Sequence, residues 1–116
     1  MKRFKREEVA LLTIPLAEAW WQLVKKGVKR ELYFPIEPWW TRRIIRFIGQ
    51  ANAKARVFEV LHGPRTDAES LAFQVAKIRR HTIPNAHPEH YAWGEPDNIP
   101  YYAIELGEQV ALARAK

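Results

Sequence analysis

Five short apolar runs of strand length, opening near Val9, Lys29, Val57, Leu71 and Tyr101, are interrupted by only two stretches of firm helical spacing, Leu16 to Lys26 and Trp39 to Ile48. A pattern of period two over most of the chain cannot make a helical bundle, so the helices must cover a sheet. The expectation is α+β. At 116 residues the chain fits one domain, 1–116, able to bury roughly two-thirds of the surface its unfolded form exposes. The core is expected over residues 9–110, with 1–8 and 111–116 as flexible basic ends.

Taken in order, Val9 to Ile14 is rich in strand formers, and Pro15 reads as the first residue of a helix, where a missing N–H costs nothing. Leu16, Ala19, Trp20, Leu23 and Val24 share one helical face, and Gly27 supplies the stop. Lys29 to Phe34 alternates as a strand and ends at a turn from Pro35 to Pro38. Val57 to Leu61 reads as a buried strand closed by His62-Gly63-Pro64. The next segment is ambiguous by pattern. Thr66 to Glu69 matches a capping box with Leu71, Val75 and Ile78 as a helical stripe, yet Leu71, Phe73 and Val75 alternate as in a strand. From Thr82 to Pro100 lie four of the eight prolines, a long surface loop. Tyr101 to Leu106 reads as a last strand stopped by Gly107.

The stretch from Trp20 to Arg43 joins four of the five tryptophans to the densest lysine and arginine content. With a formal charge of +6, it favours an anionic partner. Projected at about 100° per residue, the helix after Pro38 places Trp40, Ile44, Phe47 and Ile48 on one side and Arg42, Arg43 and Arg46 around Trp39 on the other. That second side is either a solvated basic face or a surface where guanidinium groups meet phosphate and an indole stacks on a base.

Zero cysteines exclude a disulfide framework, a thiolate zinc site and a cysteine nucleophile, as expected of a cytoplasmic protein. The basic start and apolar VALLTIPLA imitate a signal peptide, but Glu7 and Glu8 break the transition, and the segment reads better as a strand entering a helix. No uncharged run approaches the roughly 20 residues a membrane span needs, so no membrane partner is expected. His87-Pro88-Glu89-His90 is read as loop, because Pro88 spoils a helical histidine face and no cysteine completes a ligand set. Neither a metal nor a cofactor is expected, and no phosphate loop, paired-carboxylate motif or Ser-His-Asp signature is present.

The ungapped spacing of Trp20, Trp21, Gly27, Lys29, Tyr33, Pro38, Trp39, Trp40 and Arg43 resembles the motif string of the ASCH family, small PUA-like proteins, in particular its phage-borne members. Gly63, Trp93-Gly94 and Ile104 to Glu108 resemble its later turn, loop and strand. The resemblance implies a closed or nearly closed mixed β-barrel of five to six strands flanked by two or three helices, and tips residues 69–80 toward strand. It also implies a cleft beside the glycine-lysine motif for RNA or a modified nucleoside. Some relatives are amidohydrolases on acetylated cytidine that use the motif lysine, and others are credited with ribonuclease activity.

This chain departs at the cleft. Leu32 and Phe34 stand where the family has Glu and Arg, and Leu61 and His62 where it has Arg and Asn before the glycine turn. Glu31 belongs on the opposite strand face, as a solvated partner for Arg30. Lys29 is therefore expected to stay protonated as an anion contact, the only candidate catalytic residue in a degenerate cleft. The expected function is binding of RNA or single-stranded nucleic acid through Lys29, Arg30, Trp39, Arg42, Arg43, Arg46, Arg65, Arg79, Arg80 and Trp93. Two alternatives stand beside it: a nucleoside amidohydrolase or ribonuclease using Lys29, and a phage adaptor that contacts a host protein through Trp39 and Trp93.

Overall fold

The computed structural model describes residues 1–65, 68–82 and 100–113. Among them are six strands, β1 (Arg3–Phe4), β2 (Ala10–Leu16), β3 (Glu31–Pro35), β4 (Arg56–His62), β5 (Ser70–Thr82) and β6 (Pro100–Leu112), with helices α1 (Glu18–Lys25) and α2 (Pro38–Ile48) and a 3₁₀ turn at Arg6–Glu8. The ambiguous segment is strand β5, because Leu71, Phe73, Val75 and Ile78 all face one core. The capping box at Thr66-Asp67, the prolines and histidines of residues 83–99, and Trp93-Gly94 lie outside the described residues.

The strands form one mixed sheet in the order β1-β6-β5-β4-β2, with β3 also on β6. β2 runs parallel to β4 and β1 parallel to β6, while the β4–β5, β5–β6 and β3–β6 pairs are antiparallel. β6 gives its first half to β3, from Pro35↔Tyr101 to Glu31↔Glu105, and its end to β1. The sheet curls into a half-barrel rather than a closed one. α2 packs against β2, and its Trp40 ring lies 4.5 Å from that of Phe34 on β3, so the helix lies across the side where β2 and β3 do not pair.

Period-two alternation decides which residues face inward. Leu12, Ile14 and Leu16 of β2, Phe58 and Val60 of β4, Leu32 and Phe34 of β3 and Ile104 of β6 line the concave face, where Trp21 and Val24 of α1 and Trp40, Ile44 and Phe47 of α2 meet them. Each such side chain contributes roughly 1.5–3 kcal/mol by leaving water. Within α1 the buried residues are Trp21 and Val24, not the Ala19 and Trp20 of the expected stripe, and Ile48 of α2 is exposed. In α1 the stripe has drifted by about one position, whereas in α2 Trp40, Ile44 and Phe47 are buried as expected and Ile48 alone of the four falls outside the core.

Two punctuation residues behave differently from expectation. Pro15 lies inside β2, on the exposed side of an edge strand, where a missing donor is tolerated. Gly107 does not end the last strand. A Cβ there would sit 2.7 Å from the carbonyl oxygen of Gln74, so this glycine lets β6 pass close to β5 where the register shifts between Phe73 and Lys77. β6 then continues and buries Val110. Gly27 does stop α1: with φ of 77°, it donates to Val24 while Val28 and Lys29 donate back to Leu23, a Schellman closure.

The chain's basic N-terminal end, expected to be flexible, is docked. β1 pairs with β6, and Phe4 covers a second apolar cluster of Val9, Ala55, Val57, Ala72 and Val110 on the convex face. Arg6 grips the buried Glu59 through two bonds of 2.8 and 3.2 Å, and Thr13 donates to the same carboxylate at 3.0 Å. No helix among the described residues is long and apolar enough to cross a membrane.

Candidate nucleic-acid interface

Because Trp40, Ile44 and Phe47 are drawn into the core, the opposite side of α2 must face solvent, and it carries Trp39, Arg42, Arg43 and Arg46. Trp39 is 48 % exposed. Its ring is braced edge-on by Trp40 at 4.6 Å, and the Arg43 guanidinium lies 4.1 Å from its centre. The result is a pre-ordered indole flanked by cations, able to offer stacking and phosphate contacts together. Exposed Ile45 and Ile48 border this stripe.

The remaining predicted cations do not join that surface. Arg30 donates to the carbonyls of Leu106 and Gly107 and ties β3 to β6. Arg65 lies exposed in the turn after β4. Arg80 pairs in register with Tyr102, whose hydroxyl meets Thr41 of α2 at 2.9 Å, which places Arg80 at the rim of the sheet near the helix. Arg79 points to the convex face instead.

On that face, register brings Glu31 beside Glu105 and Lys77, and Tyr33 beside Ala103 and Arg79. Glu31 accepts from the Tyr33 hydroxyl and pairs with Arg79 rather than with Arg30. Lys29 lies over this group, with Nζ 5.5 Å from the Trp20 ring centre and 5.6 Å from that of Tyr33. Burial pulls its ammonium down to about 8, against the opposing pull of Glu31. Burial and the Glu31 carboxylate together push the Tyr33 phenol well above its usual range. The expectation that nothing lowers the Lys29 pKa is therefore corrected: two rings and the packed strand withdraw water from it.

The expected cleft residues also separate. Leu32 and Phe34 are core, 3 % and 0 % exposed. Leu61 is half-buried at the end of β4. His62 borders an open groove of about 500 Å³ lined by Pro15, Leu16, Ala17, Glu18, Gly63 and Pro64. Its ring stacks on Trp21 at 4.8 Å and 2°, and its Nε2 meets the Glu18 carboxylate. That bond, with a second from Gln22, lowers the Glu18 pKa. No group of three or more metal-ligating side chains occurs among the described residues.

Trp20, Tyr33, Glu31 and Glu18 were missed as site residues by sequence reasoning. For Glu31 and Tyr33 the signal was present, since residues two apart on a strand share a face. For Glu18 and His62, forty-four positions apart, there was none. Comparison with protein-family models, with curated proteins and with solved structures found no match.

Proposed function

We propose that this chain is an RNA- or single-stranded-nucleic-acid-binding module with a PUA-like, ASCH-type half-barrel, and that the exposed side of α2 is its contact surface. The observation that supports this is the coincidence of Arg42, Arg43 and Arg46 with a half-exposed, braced Trp39 on one rigid helix. Guanidinium groups neutralise phosphates and release counterions, while a half-exposed indole can stack on a base of any sequence. A solvated basic face would not need an exposed tryptophan held edge-on.

The test is titration with single-stranded RNA at two salt concentrations. The double variant Arg42→Ala/Arg46→Ala is expected to flatten the slope of log affinity against log salt by about 1.4, two single-strand phosphates at about 0.7 each. Trp39→Ala is expected to cost about 1–3 kcal/mol at either salt. Unchanged affinity in both returns the stripe to a solvated face.

One observation favours a second reading, hydrolysis of an acylated nucleoside by Lys29. Its amine is part-neutral near pH 8 with Glu31 acting on it, so it has the means to act as a base. Turnover of acetylated cytidine that disappears in Lys29→Ala would establish that reading, and an inert protein would leave Lys29 as a cation contact.

A further inference from the structure

The groove at the entry to α1 contains a ring whose position is over-determined. The His62 imidazole lies flat on Trp21, itself 0 % exposed, and its Nε2 is taken by Glu18. The other oxygen of Glu18 accepts from Gln22 at 2.9 Å, so the carboxylate is held in turn. In the neutral imidazole, an acceptor at Nε2 holds the ring proton there and leaves a lone pair on Nδ1. Trp21 covers one face of the imidazole, and His62 lines the groove together with Pro15 and Pro64.

A rigid platform in an apolar groove, with one acceptor at its edge, suits a flat ring with a hydroxyl beside it. The exposed Glu18 carboxylate disfavours a phosphate at the same place. We propose that this groove takes one nucleotide of a bound strand, its base stacked on His62 and its ribose 2′-hydroxyl donating to Nδ1, so that the protein prefers RNA to DNA. The inference rests on the nucleic-acid reading of α2, which supplies strength of binding, whereas the groove supplies the choice of sugar.

The experiment measures binding of RNA and DNA strands of one sequence made only of A and C, which removes the thymine methyl as a variable. The wild-type chain is expected to hold RNA about fivefold more tightly, the worth of one hydrogen bond. His62→Phe keeps a ring on Trp21 but has no acceptor; DNA binding should persist while the RNA preference disappears. His62→Ala should weaken both strands by about tenfold, since the stacking platform goes too. Arg42→Ala/Arg46→Ala should weaken both equally and keep the preference. Equal binding of RNA and DNA by the wild type, or a preference that survives His62→Phe, overturns the groove while leaving α2 standing. Failure to retain either strand at low salt overturns both.

Discussion

Lys29 offers the most direct check on the electrostatics of the convex face. An ordinary lysine, with a pKa near 10.4, is only about 0.4 % neutral at pH 8. Lys29, drawn down to about 8 by burial between Trp20 and Tyr33, is half neutral there. Its free-amine fraction thus exceeds an ordinary one by about a hundredfold, and a tenfold loss to steric shielding still leaves an advantage of about ten. The sign is definite: the folded pKa is depressed, so positive charge is lost as pH rises through about 8, well before an unfolded lysine would lose it. The assay is brief treatment with a limiting small acylating reagent at pH 7, 8 and 9, followed by peptide mapping. Lys29 should be labelled ahead of exposed lysines such as Lys25, with its rate levelling off by pH 9. Glu31→Gln removes the carboxylate that opposes burial, so it should shift that curve to lower pH. Labelling of Lys29 no faster than of Lys25 at pH 8 would refute the claim that this amine is desolvated.

Stability measurements test the two features that hold the sheet in shape. Gly107→Ala drives a Cβ to 2.7 Å from a backbone oxygen and should cost about 1–3 kcal/mol. For a chain of 116 residues each kcal/mol is about 4 °C in Tm, so a calorimetric shift under 2 °C would contradict the close approach. Arg6→Ala strands the Glu59 carboxylate, 4 % exposed, with Thr13 as its remaining side-chain donor among the described residues. Because Arg6 is itself partly exposed, the expected loss is about 2–3 kcal/mol rather than the full 3–5 of a wholly buried pair. Arg6→Ala combined with Glu59→Leu should recover most of it, and no recovery would locate the loss elsewhere in the N-terminal segment.

Much of the fold was legible because it depends on short-range periodicity. Alternation over Leu71, Phe73 and Val75 and the helical spacing of Trp40, Ile44 and Phe47 are consequences of backbone geometry that any partner surface must respect. The same periodicity set the arginines of α2 around Trp39 before any neighbour was known. Gly27 was readable for a similar reason, since a left-handed residue after a helix is a local demand.

What the amino-acid order could not specify was which strands meet, and in what register. That decides whether Pro15 ends a strand or lies on an edge, and whether Gly107 is a stop or a point of close approach. It also decides that Arg79, not Arg30, finds Glu31, and that His62 finds Glu18 and Trp21. Leu32 and Phe34 read as gaps in a cleft until the sheet showed them to be its core. The physical reason is that pairing, burial and desolvation depend on residues far apart in the chain. The one-in-two and one-in-three-or-four rhythms of strand and helix determine which side of an element a residue occupies, and tertiary contact alone determines what lies on that side.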